Sequence, residues 1–276
     1  MRIWLVAFYI GIGNVTAFLA GAAPADQANG QVLLRDVTDF NGDQRTLRIY
    51  LPPGYDDSQQ RYPVMYMHDA QNLFDESTAY AGEWQVDESL DKLASQGLKL
   101  IVVGIDHGEQ QRLLELSPWT NARFGQARGE DYADFIVNSV KPWVDAEFRT
   151  LAGREHTGVM GSSMGGLMSH YLLLNYPQTF SKAGIFSPSY WYSDDVKAFT
   201  LSHLPKQDSR LFMLVGGMEG DTMQGDMLAM YQQLLAYGQS PLQIRAVVQA
   251  DAQHNEAFWR GYFPQAVRWL FLSDTL

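Results

Sequence analysis

The chain of 276 residues contains no cysteine. Disulfides, thiolate zinc sites, iron–sulfur clusters and a cysteine nucleophile are therefore excluded. Charge is sparse too: Asp, Glu, Lys and Arg together make up 18% of the chain. Positive charge is the scarcer sign, with 20 Lys and Arg against 31 Asp and Glu and a net charge of −11. That excess repels phosphate backbones and anionic bilayers, which argues against nucleic acid or a polybasic membrane contact as the main partner. Internal repeats, low-complexity tracts and linker-like stretches are also lacking. What is present is a 46% hydrophobic composition, that of a globular protein with a sizeable interior. The length suits one large α/β domain.

The first segment reads as an export signal. Arg2 supplies the positive start, Ile3 to Leu19 is mostly apolar, and Ala20-Gly21-Ala22 is a small-x-small cleavage pattern. Residues 1–22 are expected to be removed, leaving 23–276 as a single domain in the periplasm or secreted. The alternative is a retained N-terminal anchor, although Gly11, Gly13, Asn14 and Thr16 interrupt a run already short for a membrane span. Cleavage would remove Arg2 and no acid, so the mature chain is still more acidic.

Seven apolar runs read as buried strands: Thr46–Leu51, Pro63–Met67, Leu98–Ile105, His156–Met160, Ala183–Phe186, Leu211–Val215 and Gln243–Val248. Helical patterns lie at Trp84–Ala94, Asp131–Phe148, Leu167–Tyr176, Thr222–Tyr237 and Glu256–Leu272. Strands alternating with helices mean βαβ crossovers, and so an α/β fold with a mostly parallel central sheet and helices on both faces.

The sharpest motif is Gly161-Ser162-Ser163-Met164-Gly165-Gly166, set between the strand pattern ending at Met160 and the helix pattern starting at Leu167. It matches the G-x-S-x-G elbow, in which a tight strand-to-helix turn lifts a serine above the sheet. Ser163 is its central serine. A serine hydroxyl is a poor nucleophile until a histidine takes its proton, and in this fold the order is Ser, acid, His. Of the histidines after Ser163, His170 lies in the elbow's own helix and reads as packing. His203 sits in a polar stretch and reads as surface. His254 follows the last strand through a loop, which suits a general base. The orienting acid should follow the preceding strand, where Gly216-Gly217-Met218-Glu219-Gly220-Asp221 offers Glu219, the nearer, and Asp221. For the oxyanion hole, the N–H of Met164 and an N–H from the loop after Met67 are expected, with Gln71 chosen and Ala70 as fallback. His68 and Asp69 precede Ser163 in the wrong order and read as loop scaffolding.

These residues resemble the "putative esterase" branch of the α/β-hydrolases, which includes trilactone siderophore esterases, feruloyl and acetylxylan esterases and S-formylglutathione hydrolase. Besides the elbow, the resemblance rests on Tyr50-Leu51-Pro52-Pro53-Gly54-Tyr55, Met67-His68-Asp69-Ala70-Gln71-Asn72-Leu73-Phe74, Glu83-Trp84, Ser187-Pro188-Ser189-Tyr190-Trp191 and His254-Asn255-Glu256. It covers nearly the whole mature chain. It implies serine ester hydrolysis through an acyl-enzyme, with Ser163, Glu219 and His254 as nucleophile, acid and base. Relatives often carry Gly where this chain has Ala70, and some use Asp as the acid.

Trp191 and Tyr190 follow a strand end near the elbow and are candidates to line an acyl or aryl pocket. Arg112, Arg123 and Arg128 lie in a stretch with little regular pattern that could border it. A highly anionic ferric trilactone would meet a repulsive net charge unless those arginines reverse it locally. A small acyl or aryl ester is thus the expected substrate; a trilactone siderophore, acyl transfer to an alcohol, or ligand binding without turnover are the alternatives. No lid-like apolar segment supports a lipase, and no metal or organic cofactor is implied.

Overall fold

The computed structural model describes residues 29–272; the export signal expected over 1–22 lies outside them. Eight strands form one sheet: β1 (Gln31–Thr38), β2 (Gln44–Leu51), β3 (Val64–His68), β4 (Ile101–Ile105), β5 (Thr157–Ser162), β6 (Lys182–Phe186), β7 (Arg210–Gly216) and β8 (Ile244–Gln249). Their spatial order is β1-β2-β4-β3-β5-β6-β7-β8. β2 alone runs against the rest, pairing antiparallel with both β1 and β4, while β4 through β8 pair in parallel.

The helices are α1 (Val86–Ala94), α2 (Arg112–Glu115), α3 (Gly129–Phe135), α4 (Lys141–Glu147), α5 (Met164–Asn175), α6 (Asp195–Ser202), α7 (Met223–Ala236) and α8 (Glu256–Phe271). Alternation along the buried strands divides the core into two layers. Val64 and Tyr66 of β3 join one layer with residues of α3, α4, α5 and α7. Met65 and Met67 join the other with residues of α1 and α8. This is the doubly covered, mostly parallel sheet that the alternating pattern implies.

Three local differences have clear causes. β1 escapes a hydrophobic-run reading because it is an edge strand whose residues are exposed or half-buried. The single helix expected over 131–148 is α3 and α4 joined by a π-helical stretch, Ile136–Val140. Pro142 opens α4 without an N–H to donate, and the widened turn precedes it. α6 is an amphipathically weak, eight-residue helix that periodicity did not single out. No helix among the described residues is long and apolar enough to cross a membrane.

Parallel strands expose their carboxyl ends along one edge of the sheet, and loops there gather side chains from distant parts of the chain. The ends of β3, β5, β6, β7 and β8 all deliver residues to one place.

Candidate active site

Ser163 lies between β5 and α5 with φ 58° and ψ −121°, a conformation that costs an L-residue energy and persists where its surroundings impose it. The surroundings are tight. A Cβ added at Gly161 would stand 2.8 Å from the backbone of Gly165 and 2.9 Å from the His68 ring. Ser163 N–H donates to Phe186 O at 2.9 Å, and Ser189 N–H donates to Ser163 O at 3.0 Å, so β6 and the turn after it fasten the elbow on both sides. The Ser163 and Ser189 hydroxyls are 3.3 Å apart.

The loops after β7 and β8 are zipped together. Gly217 N–H donates to Gln249 O at 2.8 Å and Met218 N–H to Ala252 O at 2.9 Å. The approach is close enough that a Cβ at Gly216 would lie 2.4 Å from Ala252 O, so glycine is required there. This zipper carries Glu219 to His254, whose Nδ1 lies 2.9 Å from Glu219 Oε2. A carboxylate only accepts, so Nδ1 carries the proton and a neutral ring keeps Nε2 as an acceptor. The Glu219 side chain is fully buried, whereas that of His254 is 35% exposed. The other carboxylate oxygen accepts from Gly216 N–H at 2.7 Å and from Ser187 Oγ at 2.6 Å. Ser187 in turn accepts from the Trp259 indole N–H at 2.8 Å. The Trp259 ring stands perpendicular to His254, centroids 4.9 Å apart.

Ser163 and His254 sit where two clefts meet. One, of about 420 Å³, is walled by Asp69, Asn72, Tyr80, Arg112, Glu256 and Trp259. The other, of about 370 Å³, is bordered by Ser189, Trp191, Glu219, Asp221, Thr222 and Met223. Asp221 thus reaches the site's edge, but the hydrogen bond to His254 comes from Glu219. Burial pushes the Glu256 carboxyl above its ordinary pKa. Asp69 accepts from Arg112 Nε at 2.6 Å and Nη2 at 2.8 Å; although burial opposes its ionisation, this guanidinium fork holds Asp69 below the usual carboxylate range. Arg112 is supported from behind, since α2 also carries Glu115, which is paired with the buried Arg45 at 2.8 Å.

Other expectations separate cleanly. Met164 opens α5 directly after Ser163, where first-turn N–H groups have no partner inside the helix. The Gln71 side chain holds the His107 backbone, accepting from His107 N–H at 3.1 Å, and lines a neighbouring groove; the donor expected of Gln71 is its backbone N–H, not this side chain. Ala70, the fallback, is buried. It is Asp69 and Asn72 that this loop presents to the cleft. Trp191, 48% exposed, borders the second cleft, but Tyr190 does not. Tyr190 points inward because its hydroxyl is bonded to His170, whose other ring nitrogen meets Thr200 Oγ1 at 3.1 Å. His170 is therefore a satisfied core histidine, pushed down to about 3 by burial. His203 is exposed and stacks on Phe199. His68 is buried against the Tyr132 hydroxyl at 2.9 Å. Of the arginines, Arg112 reaches the cleft already paired, Arg128 is bonded to Asp131, and Arg123 lies over the Phe124 ring. Sequence reasoning gave no role to Ser187, Ser189 or Trp259. The first two stood in the Ser187-Pro188-Ser189 signature, but nothing in a sequence tells which way a serine hydroxyl will point.

A family model described as "Putative esterase" matches residues 39–270. The uncharacterized protein YbbA of Bacillus subtilis is 27% identical over 249 residues, 85% of this chain and 96% of that one. Among solved structures, an IroE-like serine hydrolase from Shewanella oneidensis superposes with a TM-score of 0.72 at 22% identity, covering 87% of this chain and 80% of the other. A mutant feruloyl esterase module from Clostridium thermocellum, complexed with sinapinate, gives a TM-score of 0.67 at 22% identity over 90% of each chain. The protein belongs to the "Putative esterase" family and is a carboxylic ester hydrolase of the α/β-hydrolase fold.

Proposed function

We propose that the protein is an exported serine esterase that cleaves small, uncharged acyl or aryl esters through an acyl-enzyme. The observation that carries this reading is the His254–Glu219 bond at 2.9 Å, in a cleft shared with Ser163 on its strained elbow. In this reading Ser163 Oγ attacks the ester carbonyl carbon while its proton passes to His254 Nε2. Glu219 stabilises the imidazolium and keeps the ring in the correct tautomer. Negative charge developing on the carbonyl oxygen is met by the Met164 N–H at the start of α5. The bond to the alcohol oxygen then breaks, and that oxygen takes the proton from His254. Water attacks the acyl-enzyme, gives one proton to His254, and the acid leaves as Ser163 regains its own.

The wall charges favour an uncharged ester. Arg112 is committed to Asp69, Glu256 lies beside them, and the chain is acidic as a whole. A strongly anionic ferric trilactone would find little there to offset its repulsion. The two clefts meeting at Ser163 suit the two halves of an ester, and Trp191 gives the second an aromatic border.

The test is hydrolysis of p-nitrophenyl acetate, butyrate, octanoate and a feruloyl ester by the purified protein and by Ser163→Ala. Turnover is expected to fall by about 10³-fold or more in the variant, with the melting curve retained. Turnover that survives in Ser163→Ala would overturn the reading. Export is checked by N-terminal sequencing of protein recovered outside the cytoplasm, with a start near Ala23 expected.

A further inference from the structure

The stretch between α2 and α3 has little periodic pattern, yet part of it is closed into a tight turn that docks beside Trp191. Asn121 does most of the tying. Its N–H donates to Gly125 O at 3.2 Å, its carbonyl accepts from Phe124 N–H at 3.0 Å and Gly125 N–H at 2.8 Å, and its Oδ1 accepts from Arg123 N–H at 2.9 Å. Gly125 adopts φ 124°, which favours glycine. The remaining group, Nδ2, reaches out of the turn and donates to Tyr192 O at 2.6 Å. Tyr192 follows Trp191 directly in the chain.

The turn meets that pair with an aromatic ring. Phe124 stacks on the buried ring of Tyr192, with centroids 5.5 Å and planes 14° apart, and makes a T-shaped contact with Trp191 at 6.2 Å. Upstream, Trp119 packs against Tyr171 of α5 at 6.0 Å and Phe199 of α6 at 5.6 Å, which roots the segment in the core. Neither Asn121 nor Phe124 lines the two clefts at Ser163; Trp191 lines the smaller one. Among the described residues, the rings in contact with Trp191 are those of Phe124 and its own neighbour Tyr192.

We propose that Phe124 and Asn121 are positioning residues for aryl ligands: their turn sets the plane of Trp191 at the border of the smaller cleft, and through it the fit of a flat aromatic group beside Ser163. The inference rests on the reading of Ser163 and Trp191 as parts of one ester-binding site. A half-exposed indole has several staggered rotamers open to it. A ring surface already fixed in one of them binds a flat ligand without the cost of ordering it first. The two anchors divide the work, since Asn121 holds the backbone at Tyr192 and Phe124 holds the indole itself. A small acyl group has little surface to lay on an indole, so the effect falls mainly on aryl ligands.

Two readouts test this. Calorimetric titration of proteins carrying Ser163→Ala with methyl ferulate measures aryl binding without turnover, and steady-state kinetics with Ser163 intact give KM for a feruloyl ester and for p-nitrophenyl acetate. Phe124→Ala should weaken methyl ferulate binding, and raise the feruloyl-to-acetate ratio of KM values, by about 3- to 10-fold, the size of one aromatic contact. Phe124→Tyr keeps the ring and should stay within about twofold of the parent. Asn121→Ala, which cuts the tether to Tyr192, should act in the same direction as Phe124→Ala. Phe124→Leu, which keeps apolar bulk without the flat ring, replaces Phe124→Ala with the same expectation if melting curves show that the alanine variant is unfolded. In a Trp191→Ala background, Phe124→Ala should add nothing, because its effect runs through the indole. A loss of the same size in that background, equal effects on both esters, no effect of Phe124→Ala, or no uptake of methyl ferulate at millimolar concentration overturns the proposal. Absence of turnover by the parent, with the binding differences intact, would instead overturn the esterase reading and leave the positioning role standing.

Discussion

Trp259 donates its indole N–H to Ser187 Oγ at 2.8 Å across 72 residues of sequence, and through that bond one side chain reaches both members of the Glu219–His254 pair. Its ring abuts His254 face to edge, while Ser187 passes the hydrogen bond on to Glu219 at 2.6 Å. Ser187 adopts φ 43°, a strained conformation held by its N–H bond to Leu214 O at 2.6 Å. The pair is thus braced from the core by β6, β7 and α8 together.

Breaking that brace should slow turnover without removing the fold. Ser187→Ala takes away one of the hydrogen bonds to the Glu219 carboxylate, and bonds to charged groups contribute about 1.5–3 kcal/mol. We expect kcat/KM on p-nitrophenyl acetate to fall by about 10- to 100-fold. Trp259→Phe keeps a ring beside His254 and loses only the N–H, so a smaller loss is expected. Rates unchanged in both variants would show the brace to be irrelevant to the chemistry.

Glu219 and Asp221 can be told apart directly. Glu219→Gln replaces the acceptor facing His254 Nδ1 and favours the wrong tautomer, with an expected loss in kcat of about 10²- to 10⁴-fold. Asp221→Asn should stay within about twofold of the parent. Steady-state kinetics of the two variants decide the matter, and the reverse order would transfer the acid's role to Asp221.

Trp191 should govern aryl preference. It borders the smaller cleft with half its surface exposed, so truncation costs contact area for a large substrate and little for a small one. With Trp191→Ala, KM for a feruloyl ester should rise by about 5- to 20-fold while KM for acetate stays within about twofold. Equal effects on both esters would mean that the indole supports the site structurally.

The fold should weaken in mild acid. Burial holds His170 at about 3 and His68 at about 4 in the folded protein, against 6.5 when free. Below pH 6.5 the unfolded chain therefore binds more protons than the folded one, and stability falls as pH drops, by about 1.4 kcal/mol per pH unit for each histidine. Asp87, lifted to about 7, works in the opposite direction and offsets about one of them. Urea melts should show a net loss of about 2 kcal/mol between pH 6.5 and 5. A stability that rises over this interval would contradict the burial argument.

Much of the architecture was legible in the sequence because long apolar runs and the elbow glycines act locally. The bounds of strands β3, β5, β6, β7 and β8 and helices α7 and α8 fall within one residue of the pattern, except the end of β5, which runs two residues further. Edge strand β1 and the π-helical stretch before Pro142 were not legible, since exposure on a sheet edge and a widened turn leave no periodic trace. Ser163, His254 and Glu219 could be nominated from chain order and strand ends alone. Tyr190 could not be placed that way: what a side chain faces depends on partners far off, here His170.

The sequence by itself determined the α/β alternation, the sharp turn at Ser163, the absence of thiol chemistry and the candidates for base and acid, because each depends on a few neighbouring residues. Only the tertiary structure decided that Glu219 rather than Asp221 is bonded to His254, that Trp259 and Ser187 stand behind the pair, and that Arg112 is spent on Asp69. Those outcomes depend on how the loops after β7 and β8 are zipped and on which hydroxyls and guanidinium groups find partners when distant segments close over one cleft. Hydrogen bonding is directional and short-ranged, so it is settled at the last step of packing, after the pattern written along the chain has already fixed the sheet.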